Sequence, residues 1–277
     1  MPAVKFTSPD KVLFPDDGIT KGELADYYAA VAEPLLRHGA HRPLSLQVYP
    51  GGIHKKGHFL KQIPDYFPDW VERIELPKHG GTVTHMVATT ADSLRQMSQH
   101  NAITPHAPTA RVDRMDRPDR MIVDFDPPDD AERWADIVAG AKFACEWLRD
   151  AGREPFVMTT GSRGLHVVTP LRRTREYPAV LAWSKELAEA AVEQFPDALT
   201  LKFKKEQREG RIYVDCLRNR MAHTAVLPYG VRAKPGAPVA TPITLEELDD
   251  PSLTPTKWTL RTIPQRLAEV GDPWADM

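Results

Sequence analysis

The chain has 277 residues, 42% hydrophobic and 27% charged, with a formal net charge of -2 at pH 7. These values describe a globular chain long enough to bury a core, as one large domain or two small ones, and they exclude wholesale coating of nucleic acid through bulk charge. No stretch approaches the ~18 to 20 apolar residues of a membrane span, and the opening MPAVKFTSPDKV lacks the apolar run of a signal peptide, so a cytoplasmic chain without a membrane partner is expected. Cys145 and Cys216 cannot form a disulfide framework, and neither sits in a CxxC or Cys/His cluster, so they read as small core residues.

In chain order, residues 20–39 predict a helix, with Thr20 as cap, Glu23 three residues on and Gly39 as stop. PLSLQVYP and GTVTHMVA predict strands on either side of the loop GGIHKKGHFLKQ, and ADSLRQMSQH predicts a second helix. From Arg120 the pattern sharpens: a strand (RMIVDF), a helix over 129–152, a strand (PFVMTT), a turn (GSRG), a strand (LHVVTP), a helix over 177–195 and a strand (RIYVDCL). The order βαββαβ is the split βαβ unit, which sets RMIVDF between LHVVTP and RIYVDCL with both helices on one face. The expected fold is therefore α+β: a palm-like or RRM-like split βαβ sheet in 111–277, with an N-terminal mixed α/β module in 1–110 packed against it as one compact unit. The Pro-rich remainder, with a short helix near TIPQRLAEVG, reads as a wrapping tail.

Strand alternation sends Val123, Phe125, Ile212, Val214 and Cys216 toward the helices and puts Asp124, Asp126 and Asp215 on the other, open face. Three carboxylates sharing a face repel one another unless a cation sits among them. All-oxygen ligation selects Mg²⁺ or Mn²⁺, and two such ions ~3.5 to 4 Å apart can activate a hydroxyl and stabilise a leaving pyrophosphate. Asp129 and Asp130, followed by Glu132 and Arg133, read instead as caps of the next helix.

In TTGSRGLH, Gly161 and Gly164 let backbone amides approach an anion, while Thr160, Ser162, Arg163 and His166 offer donors suited to a triphosphate. From Thr200 to Lys234 nine Lys/Arg face three acids, a local excess suited to phosphates that includes Lys204, Lys205 and Arg218. His54 and His58 lie four apart, but the glycines around them oppose a helical zinc site. Phosphate contact by Lys55, Lys56 and Lys61, with Phe59 as a stacking surface, suits that loop better.

Together, MIVDFDP, TTGSRGLHVVTP, RIYVDCLRN and LPYGVRAKPG resemble the polymerase domain of bacterial DNA ligase D, in the archaeo-eukaryotic primase superfamily; DKVLFP and ELDDP extend the match over nearly the whole chain. The resemblance implies template-directed nucleotide transfer to DNA 3′ ends or short gaps, with Mn²⁺ and ribonucleotides preferred, in double-strand-break end joining or gap filling. It implies Asp124, Asp126 and Asp215 as metal ligands, and His106 and Thr160 near the ribose. It also implies Arg163, His166, Arg218, Arg232 and Lys234 on the triphosphate, and Lys11 and Phe59 on DNA. Gapped or broken duplex DNA, nucleoside triphosphates, Ku and a ligase are the implied partners, with the chain a monomer. One departure stands out: the family carries Lys where this chain has Gln47, which removes a charge suited to the 5′ phosphate across a gap. Two other readings are a DNA-end-binding scaffold that has lost catalysis and a metal-dependent phosphoesterase.

Overall fold

The computed structural model describes residues 4–128 and 133–277. Its elements are β1 (Val12–Phe14), β2 (Ile19–Thr20), α1 (Lys21–Ala30), α2 (Ala32–Gly39), β3 (Ser45–Val48), β4 (His58–Leu60), β5 (Arg73–Lys78), β6 (Gly81–Met86), α3 (Ala91–Gln99) and β7 (Ala102–Ala107). There follow β8 (Arg120–Asp126), α4 (Trp134–Asp150), β9 (Phe156–Thr159), β10 (Leu165–Pro170), α5 (Tyr177–Gln194), β11 (Leu199–Thr200), β12 (Ile212–Asp215), β13 (Ala225–Val226), β14 (Thr241–Ile243) and α6 (Ile263–Val270). Among the described residues no helix is long and apolar enough to cross a membrane.

The second half builds the sheet that alternation and element order predict. Its strands run β11-β12-β8-β10-β9-β14, so β8 lies between β10 and β12 as in a split βαβ unit. β8 pairs antiparallel with both neighbours, while the short edge strand β11 runs parallel to β12. Val123, Phe125, Ile212 and Val214 are buried on the face covered by α4 and α5, and the Cys216 thiol donates to the Ser184 carbonyl of α5 at 3.1 Å. Both cysteines are free and buried.

The first half forms a second sheet, ordered β13-β7-β3-β4, with α1 and α3 behind it. One of its strands, β13, comes from beyond residue 220, so the expected boundary near 110 does not separate the two sheets. The hairpin β5–β6 stands apart as a two-stranded ribbon.

Two expectations are corrected, and a third is left outside the described residues. The helix expected over 20–39 is two helices meeting at Val31, because Pro34 has no N–H to give the Ala30 carbonyl. Thr20 does cap the first of them, accepting from the Glu23 amide at 3.2 Å. The loop GGIHKKGHFLKQ contains β4, which is short and mostly exposed and so has no alternation to reveal it. The caps assigned to Asp129 and Asp130 lie outside the described residues, and α4 is described from Trp134.

The tail closes the molecule. Trp274 is 1% exposed, donates its indole N–H to the Val157 carbonyl of β9 at 3.0 Å and meets His38 of α2 edge-on at 5.6 Å. Asp272 accepts from Tyr229 Oη at 2.6 Å and lies 2.8 Å from His38 Nε2. This clasp ties the last residues to both halves of the chain. Truncating Trp274 to Ala is expected to cost about 3–5 kcal/mol, the range for a large buried aromatic. A urea melt that leaves the midpoint unchanged would contradict the clasp.

Candidate active site

Register brings the acids together. Asp124 on β8 lies opposite Asp215 on β12 and, on its other side, opposite His166 on β10; Asp126 is two residues further along β8. This side of the sheet is not open, contrary to expectation: Asp124, Asp215 and His166 are buried. The second sheet lies over it, carrying His106 on β7 and Val226 on β13, which are register partners, into a cleft of about 210 Å³ shared with Asp124, Asp126, His166, Arg218 and Arg232.

Each carboxylate leans on cations. Asp124 Oδ2 lies 3.3 Å from Arg218 Nη2 and 3.4 Å from His166 Nε2. Asp126 accepts from Arg163 and from Arg208, each at 3.2 Å. Asp215 accepts from the Leu217 amide at 2.7 Å and lies 3.5 Å from Arg218 Nε. Burial pushes the Asp124 carboxyl up, but His166 and Arg218 outweigh it and hold it at about 2. Burial and the Asp124 charge raise Asp215. Two like charges on facing buried residues, with only oxygen donors, suit a hard divalent ion. Among the described residues no group of three or more His, Cys, Asp or Glu side chains is gathered into a metal site.

The GSRG turn is held by its glycines. Gly161 has φ +61°, and a Cβ there would come within 2.7 Å of the Val239 backbone; one on Gly164 would lie 1.9 Å from the Phe125 carbonyl oxygen. The turn therefore sits flat against the end of β8, placing Thr160, Ser162 and Arg163 on the cleft wall. Thr160 Oγ1 accepts from the Gly164 amide at 3.2 Å, so its hydroxyl also fixes the turn. Arg232 donates to the Thr160 carbonyl at 3.4 Å. Lys234 is not on the wall, but burial first, then Arg232 and Arg163, depress its pKa, which places it within their field.

On the facing sheet, Gln47 pairs with Phe59 and with Thr104, so strand alternation puts Gln47, Phe59 and His106 on one face. Phe59 is 52% exposed and meets His106 edge-on at 5.4 Å, at the mouth of the cleft. Lys55, Lys56 and Lys61 are exposed on the segments flanking β4, and the Ile53 amide ties their loop to the Leu13 carbonyl at 2.8 Å, near Lys11. His54 pairs with Asp16 at 2.8 Å, a surface contact unlike a zinc site. Lys204 and Lys205 are exposed at the start of the segment that carries Arg208 to Asp126.

Several site residues were not singled out from sequence. Arg208 was one basic residue among nine, and nothing local marks it as one that turns inward. Asn219 is fully buried: its amide oxygen accepts from the Ile122 N–H at 2.9 Å and its nitrogen donates to the Ile122 carbonyl at 2.7 Å. It thus continues the β8 ladder with a side chain and fixes the turn that aims Arg218 at Asp124. The motif RIYVDCLRN contains it, but only the register assigns the role.

With this geometry established, similarity to known proteins identifies the family. A model of the LigD primase-polymerase domain matches residues 20–274. The chain belongs to that family. Its fold matches the polymerase domain of Mycobacterium tuberculosis ligase D, solved in complex with DNA, with a TM-score of 0.91 at 30% identity, over 98% of this chain and 96% of that one. The multifunctional non-homologous end joining protein LigD of Mycolicibacterium smegmatis is 30% identical over 97% of this chain, which spans 35% of that protein. The bifunctional LigD of Bacillus subtilis is 27% identical over 99% of this chain, which spans 44% of it.

His106 gives the site a pH signature. Burial, then the Arg232 and Arg218 charges, lower its pKa to about 3, and its Nε2 is buried without a hydrogen-bond partner among the described residues. Below pH 6.5 the unfolded chain takes up a proton that the folded site refuses, so stability falls as pH drops from 6.5 toward 3 and is insensitive to this group above 6.5. Replacing His106 with Gln should flatten the acid limb of urea midpoints over that window; an unchanged slope would contradict a neutral His106.

Proposed function

We propose that this chain transfers nucleotides onto DNA 3′ hydroxyls at breaks or short gaps, as the polymerase part of end joining, with ribonucleotides favoured. The observation that carries this reading is the facing pair Asp124 and Asp215, with Asp124 and Asp126 on the wall of a cleft that also carries Arg163, Arg218 and Arg232. Asp124, Asp126 and Asp215 would hold Mn²⁺ or Mg²⁺, which when bound would sharpen the attacking hydroxyl and offset charge on the leaving pyrophosphate.

The protein's own groups do the rest. Ser162, Arg163, His166, Arg218 and Arg232 line the cleft as fixed donors for a triphosphate, with Lys234 behind them. Thr160 and the unpartnered His106 Nε2 can both meet a ribose, and a hydrogen bond to a 2′ hydroxyl is the physical basis for preferring NTPs. Phe59, Lys55, Lys56, Lys61 and Lys11 lie on the side from which a duplex would approach, with Lys204 and Lys205 on the segment beside the acids. The mycobacterial relative of known structure was solved with DNA, which supports a DNA substrate here. The names of the longer relatives support end joining as the setting; Ku and a ligase are the partners that setting would supply.

The direct test is primer extension on a gapped duplex with Mn²⁺ and either NTPs or dNTPs. Wild type should extend, better with NTPs, and Asp124→Ala with Asp126→Ala should lose at least about 10³-fold, the scale of removing the charge stabilisation of such a transition state. Full activity in that double variant sinks the mechanism, and tight DNA binding without incorporation under any metal favours the scaffold reading.

Gln47 makes a second expectation. A neutral amide beside Phe59 supplies no charge for a phosphate, so removing the downstream 5′ phosphate should weaken gap binding less in wild type than in Gln47→Lys. Equal losses in the two proteins would show that the lysines around β4 already read that phosphate.

A further inference from the structure

Beyond the catalytic cleft, a groove of about 600 Å³ runs between α5, β12 and the coil that follows β11. Its lining is unusual for a surface of this chain. Phe203 is 65% exposed and Leu201 39%, and Met221, next to the lining residue Arg220, is 59% exposed. Holding such side chains in water is unfavourable, and their clustering marks a surface that something covers. Lys185 and Arg220 also line it and make no ion pair among the described residues; Glu189 is the acid on its wall. Lys202 and Lys204 flank Phe203 in the run LKFKK.

The groove is joined to the acids through one side chain. Tyr213 forms part of its wall and meets Phe203 edge-on at 6.0 Å. The same tyrosine lies under the Arg208 guanidinium at 4.5 Å and has its hydroxyl 3.5 Å from Asp215 Oδ1. A ligand lying along the groove therefore reaches the edge of the catalytic centre.

We propose that this groove seats an unpaired nucleic-acid strand on its way to or from the cleft, with bases against Phe203 and Leu201 and phosphates on Lys185, Arg220 and the flanking lysines. The proposal rests on the reading of the chain as a DNA-end polymerase and extends it to single-stranded ends. The chemistry selects this occupant. An exposed ring among cations is the platform on which successive unpaired bases stack, whereas a duplex hides its base faces. An apolar protein segment would cover Phe203 and Leu201 but leave the cations unmatched.

The test is equilibrium anisotropy of a labelled short oligothymidylate on the full chain without nucleotide or divalent ion, beside a blunt duplex of equal length. Phe203→Ala should weaken single-strand binding by about 5- to 150-fold, the effect of losing one stacking platform, and leave duplex binding unchanged. Phe203→Trp should keep the affinity and show quenching of its emission on binding. Lys185→Gln with Arg220→Gln should reduce the salt slope of single-strand binding by about 1.4, two phosphates' worth. Phe203 is mostly exposed, so its truncation spares the fold. Wild-type affinity in Phe203→Ala, or equal losses on single strand and duplex, overturns the proposal. Because binding is read without catalysis, an inactive chain that grips the single strand through Phe203 defeats only the polymerase reading. An active chain indifferent to Phe203→Ala defeats only the groove.

Discussion

The pairing of Asp124 with Asp215 across β8 and β12 is the constraint around which the rest is arranged. In an antiparallel pair, residues directly opposite one another bring their side chains close on one face, and two carboxylates there are unfavourable. The fold adds burial, which makes the repulsion worse. It then balances the pair and the neighbouring Asp126 with side chains placed by separate devices: His166 by the register of β10, Arg218 by the turn that Asn219 pins to β8, and, at Asp126, Arg163 by a turn that only glycines can make. Arginines hold the site together at Asp126 and Asp124.

The same constraint explains why a second sheet is needed. An acid face left in water would be screened, and donors lining it would lose much of their strength. Folding β13 into the sheet of β7 brings Val226 and His106 over the acids and links the late part of the chain to the early part. The tail repeats that logic further along the same face, with Trp274 joining β9 to α2 and packing with Ile122 and Val226. The two halves are thus cross-linked at the cleft and again beside it, between the same two sheets.

What could be read from the sequence follows from what is local. Alternation in RMIVDF and RIYVDCL assigns faces, and the order βαββαβ assigns neighbours, so the three acids and the GSRG turn were found without a structure. Register is a long-range property, and it decides that Asp215 faces Asp124 rather than Phe125. Arg208 and Asn219 escaped for the same reason, since their roles exist only against residues about 80 to 100 positions away. β13 and β11 have two residues each, too short to carry any period. The break at Val31 was legible in principle, because Pro34 stands in what would be the interior of one helix.

Charge distribution completes the argument. A net charge of -2 is a poor guide for a protein whose basic residues gather in one stretch of sequence. That stretch does not act as one patch: Arg208 and Arg218 turn inward to the carboxylates, Arg232 faces the cleft, and Arg220 lines the outer groove. Tyr213 stands between the inner and outer sets, with one neighbour on each side, Arg208 and Phe203. A polyanion in the outer groove meets Lys185 and Arg220, which make no ion pair among the described residues, whereas at the inner set it must compete with carboxylates already in place. That difference makes the outer groove the easier surface to occupy first and gives a strand a physical reason to arrive there before it reaches the acids.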